Sequence, residues 1–231
     1  MTIAIQPIRL ACLDMAGTTV SDGGVVAEAF TLALATAGLE RGSPGYDEAT
    51  HYVRQTMGQS KIEVFRAVFP GDERTAVTAN EAFEAAYRVL IMQGRVAPIP
   101  GAEETFDALR RHGVQVCLTT GFSPTTRDAV LAALGWGDRA DLVLSPADCG
   151  RGRPYPDMIL CAILRLGIDD VHAVAVVGDT TSDLLAGYRS GAAIVAGVLT
   201  GEQDESALAA APHTHLLASV ADLPGLLFPG S

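Results

Sequence analysis

The 231-residue sequence predicts an α/β protein: a parallel sheet with helices on both faces and an all-α-helical segment inserted after the first strand. Three observations carry this prediction. Beyond residue 100, short apolar runs alternate with stretches of helical periodicity, the pattern of parallel strands joined by crossover helices. One more run of the same kind, Leu10-Ala11-Cys12-Leu13, stands alone near the start. Between 25 and 95 no strand pattern occurs, and apolar residues recur at helical spacing.

Taken in order, the first strand delivers Asp14 to its end and is followed by Met15-Ala16-Gly17-Thr18-Thr19. Ser21-Asp22-Gly23-Gly24 reads as a turn or hinge. A helix at 25–38 stops at Gly38, a natural C-cap, and a Gly/Ser/Pro loop fills 42–45. Helices follow at 46–57, 60–69 and 72–93; Pro70-Gly71 separates the last two, and the third carries Ala79, Phe83, Ala86, Leu90 and Ile91 on one face. Val96-Ala97-Pro98-Ile99-Pro100-Gly101 is a stiff linker into a helix at 102–112. Strands are then expected at 114–119, 142–145, 173–177 and 193–198, with helices at 125–134, 156–166 and 181–190 between them. A short strand near Leu216 and a helix near 220 close the series. The core domain is thus expected to comprise 1–22 and 97–231, and the helical domain 23–96.

Sixteen basic against 27 acidic residues give a formal net charge of −11, which argues against nucleic acid or an anionic membrane as partner. An anionic substrate would need local cations or a metal in such a shell. The four cysteines show no metal-ligand spacing and read as reduced core thiols of a cytoplasmic protein. No secretory leader pattern and no bilayer-length apolar run is present, so the expectation is a soluble, intracellular chain. Among the sixteen cationic residues Lys61 is the single lysine. Where every other cation is Arg, this position has a reason to keep an amine.

Four junctions in the α/β part end in polar residues and describe one site. Asp14 stands at the end of the first strand. Thr119-Thr120-Gly121 ends the second with hydroxyls and a glycine suited to donating to phosphoryl oxygens. Gly150-Arg151-Gly152-Arg153-Pro154 supplies a guanidinium, and Gly178-Asp179-Thr180-Thr181-Ser182-Asp183 supplies two carboxylates one helical turn apart. Alone, Asp179 is as well read as a helix N-cap and Arg153 as a surface cation. Together at one sheet edge, carboxylates, hydroxyls and a cation form a hard oxygen site suited to Mg²⁺.

The order Asp14-x-Ala16-Gly17-Thr18, Thr120, Arg153, Gly178-Asp179-x-x-x-Asp183 resembles the haloacid dehalogenase superfamily over essentially the whole chain. The resemblance implies a Rossmann-like core with a small α-helical cap, an Asp14 nucleophile that takes up a phosphoryl group, and Mg²⁺ held by Asp14, Asp179 and the Ala16 carbonyl. It further implies that Thr120, Gly121 and Arg153 bind the phosphoryl group and that Asp183 and Thr18 support the site. The family's usual first motif has a second Asp where Ala16 stands and a third-motif lysine where Arg153 stands. Both departures are shared with its phosphonatase branch, which also has a cap lysine three residues after a Met-Gly pair; Met57-Gly58-Gln59-Ser60-Lys61 is similar. On that resemblance Met57 and Gly58 contact substrate and Lys61 forms a Schiff base with phosphonoacetaldehyde or a close analogue. By the same analogy the protein pairs as a homodimer through its cap, with the alanine-rich helix at 25–38 as the contact.

Ala16 and Lys61 make chemical sense together. An ester loses an alkoxide that needs a general acid, whereas a carbon leaving group needs an electron sink, which an iminium supplies and an arginine cannot form. The cap must then close over the core, with Gly23-Gly24 and Pro98-Ile99-Pro100 as hinges. The branch has a histidine where Val64 stands and a tyrosine where Phe122 stands. Other readings stay open: a magnesium-dependent phosphatase of a small phosphorylated metabolite with Lys61 as a binding cation, a metal-free dehalogenase, and a non-catalytic relative.

Overall fold

The computed structural model describes residues 7–21 and 23–230; Asp22 of the expected hinge and the first six residues of the expected core domain lie outside the described residues. Six strands form one parallel sheet: β1 (Leu10–Asp14), β4 (Gln115–Thr119), β5 (Leu142–Leu144), β6 (Val174–Gly178), β7 (Ile194–Val198) and β8 (His215–Leu217), in the order β5-β4-β1-β6-β7-β8. β1 is central and buried throughout, pairing with β4 on one side (Asp14 opposite Thr119) and β6 on the other (Leu13 opposite Val177). A strand covered on both faces has no polar side to present, which is why it reads as an unbroken apolar run. The strand order reverses direction at β1, so the carboxyl ends of β1, β4 and β6 open onto one crevice, the place where open α/β sheets bind ligands.

Helices α5 (Ala102–Arg111), α6 (Pro124–Leu134), α8 (Asp157–Arg165) and α9 (Thr181–Ser190) connect the strands as the periodicity predicts. Their ends follow ordinary capping chemistry: Ser123 accepts from the Thr126 amide at the start of α6, and Gly135 and Gly191 close α6 and α9 with left-handed backbones. Two short helices, α7 (Pro146–Cys149) and α10 (Glu205–Ala210), were not expected; each is little more than a turn and too brief to show periodicity. The chain closes with α11 (Leu223–Leu227).

Between β2 (Val20–Ser21) and β3 (Ala97–Pro98) the chain forms α1 (Val25–Thr36), α2 (Tyr46–Gln55), α3 (Lys61–Val68) and α4 (Glu73–Met92). α1 and α4 pack through Phe30 and Phe83, whose ring centroids are 4.7 Å apart, and Phe65 of α3 joins them at 5.3 Å from Phe30. β2 and β3 pair antiparallel, and the Ile99 amide donates to the Thr19 carbonyl at 2.9 Å. The expected hinge at Pro98-Ile99-Pro100 is therefore tied by a short hydrogen-bonded ribbon to the chain just before the other one, and Gly23 and Gly24 follow that ribbon with left-handed backbones. The pair is only two residues long on each side, too short for an alternating pattern. Among the described residues no helix is long and apolar enough to cross a membrane. The four cysteines are free thiols, Cys12 and Cys117 fully inside the core.

Candidate active site

β1 turns sharply after Asp14. Gly17 has φ +88°, and its amide donates to the Val20 carbonyl at 2.8 Å. A Cβ at Gly17 would collide with the Asp179 carboxylate, so the turn needs glycine for both its backbone conformation and its closeness. The Thr18 hydroxyl donates to Asp179 Oδ1 at 3.1 Å, and the Thr19 hydroxyl donates to the Asp14 carbonyl at 2.8 Å. On the neighbouring strand Thr120 and Gly121 sit at the same edge, with the Phe122 amide donating to Thr120 Oγ1 at 3.2 Å. On the other side β6 delivers Asp179, and α9 begins at once with a capping box between Thr180 and Asp183.

Arg153 differs from the sequence reading in its origin. It comes from the loop between α7 and α8 rather than from a strand end, because β5 stops at Leu144 and α7 intervenes. Its guanidinium is nevertheless buried in the site: Nη1 donates to Asp14 Oδ1 at 2.5 Å and to Asp183 Oδ1. Among the described residues Nε and Nη2 are buried donors with no hydrogen-bond partner. Unpaired buried donors are costly, so a guanidinium held with two of them aimed nowhere is a place prepared for an anion.

Carboxylate oxygens of Asp14, Asp179 and Asp183 gather within 4.8 Å of one another, all three residues buried. Burial raises Asp14 most; Arg153 pulls it back down, Asp183 raises it again, and the result is about 7. Asp179 is also raised well above the ordinary carboxylate range by burial and then by its two acidic neighbours, against the Glu202 amide and the Thr18 hydroxyl, which lower it. Burial lowers Arg153, but Asp14 and Asp183 more than offset that and hold it above its usual value. Three buried acids against one buried guanidinium form a donor set of hard oxygens short of positive charge, and a divalent cation fits it.

A cavity of about 230 Å³ lies above these groups, and every sequence-predicted site residue lines it except Thr18 and Asp183, which stand just behind. Its roof is the helical insertion. Met57, Gly58 and Lys61 reach it from the turn into α3, and Ala16 lines its floor beside Asp14. Lys61 is 6% exposed, with Nζ 5.5 Å from the Phe30 ring centroid, 5.9 Å from Phe83 and 5.4 Å from Phe122. Three aromatic faces thus hold the amine at the cavity wall. Val64 and Phe122 are buried apolar residues at this end.

One segment was missed. The loop after β7 brings Thr200, Gly201 and Glu202 to the cavity: the Glu202 amide donates to Asp179 Oδ2 at 3.0 Å, the Thr200 hydroxyl donates to the Gly17 carbonyl at 2.7 Å, and a Cβ at Gly201 would strike Asp179. The signal was present, since Val198-Leu199-Thr200-Gly201 repeats the strand-then-Thr-Gly pattern of 118–121.

Comparison with known proteins agrees with this geometry. The family model for haloacid dehalogenase-like hydrolases matches residues 8–191. The phosphonoacetaldehyde hydrolase of Pseudomonas fluorescens is 32% identical over 84% of this chain and 74% of its own length. That of Bacillus cereus is 30% identical over 85% of this chain and 78% of its own. The crystal structure of a phosphonoacetaldehyde hydrolase-like protein from Oleispira antarctica superposes with a TM-score of 0.81 at 25% identity, covering 98% of this chain and 95% of that one. With its parallel core, helical insertion and acidic crevice at the strand ends, the chain belongs to the haloacid dehalogenase-like hydrolases.

Proposed function

We propose that this hydrolase cleaves the C–P bond of phosphonoacetaldehyde or a close small carbonyl phosphonate, with Asp14 as nucleophile and Lys61 as the amine that activates the leaving group. The observation that carries the reading is the placement of the chain's single lysine: Lys61 lines the same small cavity as Asp14, while Ala16 occupies the floor position from which a general acid would act. The names of the curated relatives support the same substrate.

The helical insertion, residues 23–96, acts as a cap over the core. Arg153 Nε and Nη2, the Thr120 hydroxyl and the Gly121 amide bind the phosphoryl oxygens and stabilise the charge they carry during transfer. Lys61, as the free amine, adds to the aldehyde and loses water to give an iminium. Asp14 then attacks phosphorus; the C–P bond breaks, its electron pair flows into the iminium to form an enamine, and the phosphoryl group becomes an aspartyl-phosphate. Protonation at carbon and hydrolysis release acetaldehyde and restore Lys61, and water cleaves the aspartyl-phosphate. Asp14, Asp179 and the Ala16 carbonyl would hold Mg²⁺, which when bound neutralises phosphoryl charge and lets Asp14 work as a carboxylate. Asp183 and Thr18 position this set: Asp183 anchors Arg153 and the start of α9, and Thr18 anchors Asp179.

Incubation with phosphonoacetaldehyde and borohydride tests the reading. A reduced adduct on the Lys61 peptide is expected. No adduct, together with ready turnover of ordinary phosphate esters, overturns it in favour of a phosphatase in which Lys61 only binds.

A further inference from the structure

Helix α4 crosses from the insertion onto the start of α6, and at that crossing it buries a carboxylate. Glu84 is 9% exposed. Its Oε2 accepts from the Ser123 hydroxyl at 2.5 Å and from the Thr126 hydroxyl, and its Oε1 accepts from the Ser123 amide at 3.4 Å. Ser123 is the N-cap of the 11-residue α6, so the carboxylate also meets the positive end of that helix. All these partners belong to the core. They stand directly after the turn that carries Thr120 and Gly121, and Phe122, between Gly121 and Ser123, presents its ring to Lys61 Nζ.

The rest of the seam combines close approach with ring packing: Phe122 of the core lies 4.6 Å from Tyr87 and 6.4 Å from Phe83 of α4, centroid to centroid. A Cβ at Gly58 would lie 2.5 Å from Thr180 Oγ1, one at Gly121 would run into the Gln59 carbonyl, and one at Gly152 would come within 3.1 Å of Ser60 Cβ. At Gly121 backbone lies directly against backbone, that of Gly58 and Gln59.

We propose that Glu84 is a positioning residue whose contact with Ser123 and Thr126 latches the insertion closed on the core, seating Lys61 opposite Asp14. On opening, water replaces these bonds, so the net hold is modest, as suits a contact made and broken in each catalytic cycle. The fraction of closed protein then scales the apparent affinity for anything bound beneath the insertion. The inference rests on the proposed function only in treating the insertion as a cap that moves.

Because Lys61 is the single lysine, its acetylation by an N-hydroxysuccinimide ester reads opening without substrate, and mass mapping separates it from the N-terminal amine. Labelling of the full chain is compared for wild type, Glu84→Ala, Glu84→Gln and, from the core side, Ser123→Ala and Thr126→Val, each at the same interval below its own Tm. Glu84→Ala is expected to label Lys61 at least about tenfold faster, from the loss of charge-assisted bonds. Glu84→Gln, which keeps acceptor oxygen, recovers part of the protection, and Ser123→Ala falls between. Should Glu84→Ala not fold, the two core-side variants decide. Labelling rates equal to wild type in the folded variants overturn the latch, and so does an increase that disappears at matched intervals below Tm. The readout needs no imine with substrate, so failure of the Schiff-base chemistry leaves it intact.

Discussion

Replacing Asp14 with Asn should abolish turnover and at the same time stabilise the metal-free protein at alkaline pH. Asp14 is buried beside Asp179 and Asp183, and its carboxyl is raised from an ordinary value near 3.8 to about 7. The folded protein therefore binds this proton more tightly than the unfolded chain. Stability contributed by the neutral carboxyl is fully present below the unfolded value and is lost as pH rises through about 7. At 1.36 kcal/mol per pH unit, the shift sets a ceiling of about 4 kcal/mol on what the charged Asp14 costs above that window. Asn removes the charge while leaving Arg153 its bond to Asp183. With about 2–4 °C per kcal/mol for a chain of this size, thermal melts in EDTA at pH 8 should place Asp14→Asn several degrees above wild type. At pH 5 the gap should narrow to less than half of that, because the unfolded carboxyl has ionised there while the folded one has not, and it should close only as pH falls to the unfolded value of 3.8. An Asp14→Asn protein melting at or below wild type at pH 8 in EDTA would refute the claim that the site stores unfavourable charge for a cation to relieve.

The remaining predictions probe the same geometry. Mg²⁺ should raise the Tm of wild type more at pH 8 than at pH 5, because protons compete for the same carboxylates; an equal rise at both would place the binding elsewhere. Arg153→Lys should keep the fold yet lower turnover by about a hundredfold or more, since a point charge cannot present the two further donors of the guanidinium; near-normal kcat would remove Arg153 from phosphoryl binding. Gly58→Ala puts a side chain on a backbone with φ +81° and against Thr180, so it should displace the turn carrying Lys61 and lower kcat/KM by about a hundredfold; unchanged kinetics would show that the seam tolerates more space than its geometry implies.

The parts of this protein legible in its sequence are those where local chemistry and fold coincide. β1 is apolar on both faces because it is central, and its one carboxylate stands at its end because that is where the crevice opens. Thr120 and Asp179 follow their strands in the same way. Arg153 was legible by type and order but not by origin, since a four-residue helix leaves no periodic trace between β5 and its loop. Glu84 was not legible at all: it sits among the apolar positions of α4, next to Phe83, and only the tertiary crossing with α6 gives its carboxylate partners. Likewise nothing along the chain shows that Phe30, Phe83 and Phe122, from three separate segments, meet around Lys61. Contacts between distant segments follow from packing, and a single sequence records packing only as hydrophobicity.

The central claim, that Lys61 activates a carbon leaving group which Ala16 leaves without an acid, is tested most directly by turnover of Lys61→Arg on two substrates in Mg²⁺: phosphonoacetaldehyde and a simple aryl phosphate. Arginine keeps the charge but cannot form the iminium. The account predicts that release of acetaldehyde and phosphate from the phosphonate falls by about a thousandfold or more, while slow hydrolysis of the aryl phosphate stays within a few-fold of wild type. Equal losses on both substrates, or none on the phosphonate, would contradict it.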